Sequence, residues 1–199
     1  MVRSLFRKAA PIGLLLASAG ALAHSGAAMA LTGPDAAGLL QGLWHPFTGM
    51  DHLLALLAVG AWSAMSGHRS WVYPLVFINA LLWGALLGMS GWVPAALEPL
   101  LALSLVVLGL LVAFRREAAP AGAVWLLSGL GLLHGVAHGV EFGVRASLAL
   151  PLGMVLASLL LLGLGVVLGT AAQRVRPMWH RVAGVGVALV GGALCAQLV

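Results

Sequence analysis

The chain has 199 residues, of which 62% are apolar and only 8% are charged, and its formal net charge is +5 at pH 7. Long, nearly continuous apolar stretches are typical of a protein that crosses a membrane several times. A soluble helical bundle, the alternative, would show polar faces at helical spacing, and few stretches do. The charge pattern gives no indication of nucleic-acid binding. The single cysteine, Cys195, excludes an internal disulfide.

The first 23 residues have the pattern of a secretory signal peptide. Three basic residues precede an apolar run over 9–20, and Ala21-Leu22-Ala23 supplies an A-x-A cleavage site. We predict cleavage after Ala23, which leaves residues 24–199 as a single transmembrane domain. An uncleaved first helix is the alternative, and Pro11 and the short apolar core disfavour it. Because cleavage removes three of the ten basic residues, much of the net charge belongs to the leader.

Six apolar segments follow a short polar stretch at 24–35. Each has roughly the 20 residues that a helix needs to span the hydrocarbon core. Backbone polar groups in lipid must pair within the segment, which favours helices. We therefore predict an all-α fold, a polytopic bundle of six membrane helices. The segments run over 36–66, interrupted near Pro46 and Gly49, and over 71–90, 95–114, 121–141, 147–172 and 178–198.

The arginines determine the predicted orientation. The loops after the first, third and fifth segments hold nearly all the arginines beyond the leader: Arg69, Arg115, Arg116, Arg174, Arg176 and Arg181. The other connections hold only Arg145. Since positive residues stay on the cytoplasmic side, both mature ends are predicted to be periplasmic, in a bacterial inner membrane. The secretory leader independently requires an outward N-terminus.

Two polar clusters interrupt these apolar segments. The stretch HPFTGMDH, residues 45–52, and the stretch LLHGVAHGVEFG, residues 132–143, supply imidazoles and carboxylates at spacings that share a helix face. At 1.5 Å per residue, both clusters fall in the outer half of the membrane. The six candidate metal ligands are His45, Asp51, His52, His134, His138 and Glu141.

Ionisable groups at this depth are costly unless they are paired or solvated, so they are candidates for function. Four imidazoles and two carboxylates form a nitrogen and oxygen ligand set that suits nickel, zinc, copper or iron. The break at Pro46–Gly49 is predicted to let His45 and Asp51 point inward together, as broken helices do along substrate paths. The alternative is that these side chains only join helices through hydrogen bonds.

Other polar residues are weaker candidates. His24 would become the mature N-terminus, where its amine and imidazole can chelate a divalent cation as a secondary metal site. The alternative is an ordinary polar residue after a cleavage site. His180 is predicted to lie in a solvated cytoplasmic loop. Glu98 is predicted either to attract cations at the outer edge of the membrane or only to mark a helix boundary. Asn79 either lines the path or bonds a neighbouring helix. Trp83, in the middle of a segment, is predicted to pack between helices.

The two clusters resemble the HupE/UreJ family, through H-P-x-x-G-x-D-H in the first segment and H-G-x-A-H-G-x-E in the fourth. The resemblance extends over the mature chain, although family members often have methionine at Leu56 and phenylalanine at Leu133. It implies uptake of nickel (Ni²⁺), sometimes cobalt (Co²⁺), for hydrogenase and urease assembly. It also implies that the six candidate ligands are the transport-critical residues.

The leading functional prediction is an inner-membrane permease for a divalent transition metal, not an enzyme. No G-x-x-x-x-G-K-[ST] nucleotide motif occurs in the sequence. One alternative is an intramembrane zinc hydrolase with Glu141 as its base, and another is a metal sensor or accessory subunit that does not transport. No motif specifies a homo-oligomer or a metallochaperone contact. Because the motifs occupy different ends of their segments, we predict an asymmetric site.

Overall fold

The structure, a computed structural model, describes residues 34–66, 71–115, 119–143, 147–176 and 178–198. These residues form seven α-helices and no strand, which confirms the all-α prediction. The predicted signal peptide and His24 lie outside the described residues. The helices are α1 (Pro34–Thr48), α2 (Met50–Ala64), α3 (Val72–Met89), α4 (Leu97–Phe114), α5 (Pro120–Phe142), α6 (Ala149–Val175) and α7 (Met178–Gln197).

Five of these helices, α3 to α7, are long and apolar enough to cross a membrane. The first predicted segment is instead two helices of 15 residues each, α1 and α2. Each covers only about 22 Å, less than the hydrocarbon thickness. They are separated by Gly49, whose backbone is extended at φ −100° and ψ 117°. Pro46 lies inside α1, so the interruption is at the glycine and not at the proline.

Small residues let α1 and α2 lie one after the other along α6. A Cβ atom added at Gly42 would overlap the carbonyl of Leu150, and one added at Gly60 would overlap the carbonyl of Leu162. Backbones approach this closely in membranes because small residues remove the side chains between them. Since the residue numbers rise together along both sides of the contact, α1 and α2 run parallel to α6.

Two further pairs pack in the same way. Gly135 of α5 lies against the backbone of Leu81 in α3, and these two helices run parallel. Gly109 of α4 lies against Gly184 of α7, and Gly191 lies against Val106, so this pair is antiparallel. Each predicted segment therefore has one closely packed partner. Large apolar side chains, among them the fully buried Phe77 and Leu105, fill the space between the pairs.

Candidate metal site

The junction of α1 and α2 positions three of the candidate ligands. His45 lies in the last turn of α1, and Asp51 lies in the first turn of α2, followed by His52. In one uninterrupted helix, the side chains of His45 and Asp51 would point about 120° apart. The extended backbone at Gly49 removes that constraint, and both side chains line one cavity. The N-terminal end of α2 also favours the negative charge of Asp51.

His45, His138 and Glu141 converge on one point. Nε2 of His45 lies 2.7 Å from Nδ1 of His138 and 3.0 Å from Oε2 of Glu141. One nitrogen or oxygen atom from each residue lies within 4.8 Å of the other two. We call these three residues the outer triad. Two imidazoles and a carboxylate at this separation suit a divalent transition metal after small adjustments.

His52 and His134 lie next to the outer triad with their rings oriented by hydrogen bonds. Nδ1 of His52 is 3.0 Å from Oδ1 of Asp51, and Nδ1 of His134 is 2.9 Å from the carbonyl oxygen of Leu130. A carbonyl or an ionised carboxylate only accepts, so this geometry assigns the proton to Nδ1 and leaves the lone pair on Nε2. Metal-binding histidines are commonly oriented in this way.

His138, a member of the outer triad, connects the triad to His52 and His134. Its ring centroid is 4.7 Å from that of His45 and 4.1 Å from that of His52, and the centroids of His52 and His134 are 5.5 Å apart. The four rings thus form a continuous file from the partly exposed His45 to His134, which is only 1% exposed. Among the described residues, Nε2 of His52, His134 and His138 has no hydrogen-bond partner.

A cavity of about 120 Å³ reaches one end of this file. Its wall includes Asp51 and Glu141 together with Glu98, which lies in the first turn of α4. The sequence predicted that Glu98 either attracts cations at the outer edge or only marks a helix boundary, and it did not predict that Glu98 shares a cavity wall with the candidate ligands. The depth of Glu98 in the membrane could have indicated this position, because Glu98 lies near the start of its segment, at the same end of the bundle as both motifs.

Apolar packing closes the other end of the file. The ring of Phe77 lies 5.9 Å from that of His134, centroid to centroid, and is fully buried. Leu81 and Leu127 belong to the same buried cluster as Phe77. Of the four imidazoles, those of His45 and His52 line the cavity, whereas the ring of His134 lies against apolar side chains on its far side.

The comparisons with known proteins agree with the two motifs. The family model described as HupE / UreJ protein matches residues 12–194. The chain belongs to the HupE/UreJ family. Protein HupE from Rhizobium leguminosarum bv. viciae is 37% identical over 181 residues, which cover 87% of this chain and 93% of that protein. No solved structure matched. The family resemblance predicted from residues 45–60 and 133–141 is confirmed, and both motifs lie within the HupE/UreJ match.

The structure of this HupE/UreJ protein brings all six predicted ligands together, at the contact of α1 and α2 with α5. Metal binding by these residues stays a prediction. The prediction for His180 is wrong, because it lies in the first turn of α7 and is 4% exposed. Only two residues separate α6 from α7, so the loop is shorter than expected. His180 lines an apolar cleft of about 640 Å³ between α2, α6 and α7, which none of the six ligands lines.

Gly49→Ala tests the geometry of the α1–α2 junction. The backbone angles of Gly49 are open to alanine, but an added Cβ would lie 2.9 Å from both Oδ1 of Asp51 and Nδ1 of His52. We expect the Asp51–His52 contact to be displaced and the apparent metal affinity to fall by about tenfold, as when a ligand loses its orienting partner. Metal titration of the purified variant measures this. Gly129→Ala, at a position with no atom within 4 Å of an added Cβ, is the control. Equal affinities for all three proteins would contradict the expectation.

Proposed function

We propose that this HupE/UreJ protein is an inner-membrane permease for a divalent transition metal, with nickel as its main cargo and cobalt as a second. The observation that carries the proposal is the outer triad, whose ligand atoms lie within mutual reach at the mouth of a file of buried imidazoles. Imidazole ligands suit nickel. The association of the family with nickel and cobalt uptake for hydrogenase and urease assembly supports the choice of ion.

The ion enters the cavity from the periplasm, where the carboxylates of Glu98, Asp51 and Glu141 attract it. There the ion loses bound water molecules and is coordinated by the outer triad instead. It then passes along His138 to Nε2 of His52 and Nε2 of His134, which carry lone pairs and have no other partner among the described residues. Release to the cytoplasm requires the apolar cluster around Phe77 to open. The burial of Phe77, Leu81 and Leu127 supports this requirement.

The membrane potential supplies the driving force. A divalent ion that moves inward across 100 mV gains ~4.6 kcal/mol, enough for roughly three decades of accumulation. The absence of a nucleotide-binding motif from the sequence is compatible with this source.

Reconstitution into proteoliposomes that contain only this protein tests the function. We expect nickel to accumulate when an inward-negative potential is imposed, and to do so much less without the potential. Metal binding without accumulation would favour an accessory or sensing protein. Neither binding nor accumulation would overturn the proposal and leave the six residues as contacts between helices.

Six alternating crossings, with both mature ends on the same side of the membrane, fit the helix directions. The arginine distribution favours the periplasm as that side. Alternate crossings make the first and fifth segments parallel, the second and fourth parallel, and the third and sixth antiparallel, and the three glycine-packed pairs have these directions. We expect alkaline phosphatase fused after Val199 to be active and the same enzyme fused after Arg115 to be inactive. The opposite result would reverse the orientation and place the cavity on the cytoplasmic side.

Uptake is expected to fall as the external pH falls from 7 to 5.5. Metal binding needs unprotonated imidazoles and ionised carboxylates, so protons compete with the ion. An imidazole with an unperturbed pKa of ~6.5 loses roughly eightfold of its unprotonated fraction over this range. Initial rates measured at subsaturating nickel, with the potential clamped, test this. A rate that rises on acidification would instead indicate that protons drive uptake.

A further inference from the structure

Helix α3 has one face that no other part of the described chain covers. Leu75, Asn79, Leu82, Trp83 and Leu86 are all exposed, and their spacing of three or four residues places them on one face. The opposite face packs on α5 through Phe77 and Leu81. In a membrane the exposed face meets either lipid or another helix.

Two polar groups lie in the middle of this face. Asn79 is about 10 Å from the start of α3 and about 15 Å from its end, and Trp83 lies one turn further along. Neither side chain makes a hydrogen bond to another described residue. An amide and an indole N–H have no partner in hydrocarbon, and the amide in particular is costly to leave unpaired there. Tryptophan facing lipid is ordinarily found at the membrane interface and not at this depth.

We propose that a second copy of this chain covers the face, and that α3 pairs with α3 in a two-fold symmetric dimer. An axis along the membrane normal places the same residue of both copies at the same depth. Asn79 of one copy then faces Asn79 of the other, and each amide both donates and accepts. Leu75, Leu82 and Leu86 pack around the amide pair. The prediction that Trp83 packs between helices is wrong for the described chain, in which its side chain is 60% exposed. In the proposed dimer, Trp83 packs between helices of the two copies.

The proposal is independent of metal transport, because this face of α3 points away from α5 and its histidines. Cysteine cross-linking in native membranes tests it, in a background where Cys195→Ala removes the one native thiol. Leu82→Cys retains Asn79 and is expected to give a disulfide-linked dimer on oxidation. Leu160→Cys, on the 68% exposed Leu160 of α6, is the matched control and is expected to give none.

Variants of Asn79 test whether its amide holds the dimer together. Added to Leu82→Cys, Asn79→Leu is expected to lower the dimer yield by roughly fivefold or more, as loss of interhelical hydrogen bonds does in lipid. Asn79→Gln, which keeps an amide, is expected to retain most of it. Because Asn79 is exposed and away from the metal site, nickel binding by Asn79→Leu is expected to match that of the wild type, which serves as the folding control.

Four results would overturn the dimer. The first is a monomeric mass for the wild type in lipid nanodiscs. The second is a dimer yield that Asn79→Leu leaves unchanged, and the third is a dimer yield from Leu160→Cys that equals that from Leu82→Cys. The fourth is a disulfide within one chain between Leu82→Cys and Ala17→Cys, which would show that the leader is retained and covers the face.

Discussion

His138→Gln is expected to abolish nickel uptake, with a loss of ~100-fold or more in the initial rate. His138 is the ring that contacts both His45 and His52, so its removal takes one ligand from the outer triad and interrupts the file. Loss of a partner that only orients a metal ligand costs about 10- to 100-fold in affinity or activity. His138 is itself a ligand and links the histidines, so its loss is expected to cost at least as much as the upper end of this range of about 10- to 100-fold. Radiolabelled nickel uptake into cells with equal amounts of each protein in the membrane measures the effect.

His180→Gln is the matched control for this experiment. His180 is also buried, and its Nδ1 has no hydrogen-bond partner within the described part of the chain, but it lines the apolar cleft and not the cavity that holds the outer triad. The same substitution there is expected to leave uptake nearly unchanged. If both variants lose uptake equally, the effect reflects general disruption of packing. If His138→Gln retains uptake, the file of imidazoles is not the path of the ion.

The sequence predicted the general location of the site because depth and helix face follow from simple spacing. Counting residues along the first and fourth segments placed both motifs in the same half of the membrane, and the structure puts His45, His52, His134 and His138 in contact. The residue at which the first segment is interrupted could not be assigned from the sequence, because Pro46 and Gly49 both disfavour a regular helix. The reason why residue 49 is glycine depends on neighbouring side chains, because the Cβ of an alanine there would lie against Asp51 and His52. Only the structure shows these contacts.

Neighbours from distant parts of the chain could not be predicted in the same way. Glu98 lies in the first turn of α4, whose closely packed partner is α7, and it reaches the cavity only when all the pairs are assembled. His180 lies inside α7 and is buried at the apolar cleft, because α7 begins only two residues after α6 and not after a longer loop. The same limit applies to Asn79, since its sequence position gave its depth but not the direction in which it points.

Asp51→Asn is expected to weaken apparent nickel affinity by about tenfold, the lower end of what orienting partners contribute. The substitution preserves size, and the amide oxygen of asparagine can still accept the hydrogen bond that Nδ1 of His52 donates over 3.0 Å in the wild type. What it removes is the negative charge that offsets the charge of the ion and strengthens His52 as a ligand. The variant therefore separates the effect of charge from the effect of ring orientation.

Asp35→Asn is the control for general attraction of cations to the protein. Asp35 occupies the first turn of α1, as Asp51 does in α2, but it accepts a hydrogen bond from the hydroxyl of Ser147 and does not line the cavity. Salt screens its exposed charge, so half-saturation is expected to change by less than about twofold. The measurement is initial uptake rate against nickel concentration for the three proteins at equal expression. An unchanged half-saturation in Asp51→Asn would mean that Asp51 only stabilises the start of α2, and the interpretation of these residues as contacts between helices would then gain support.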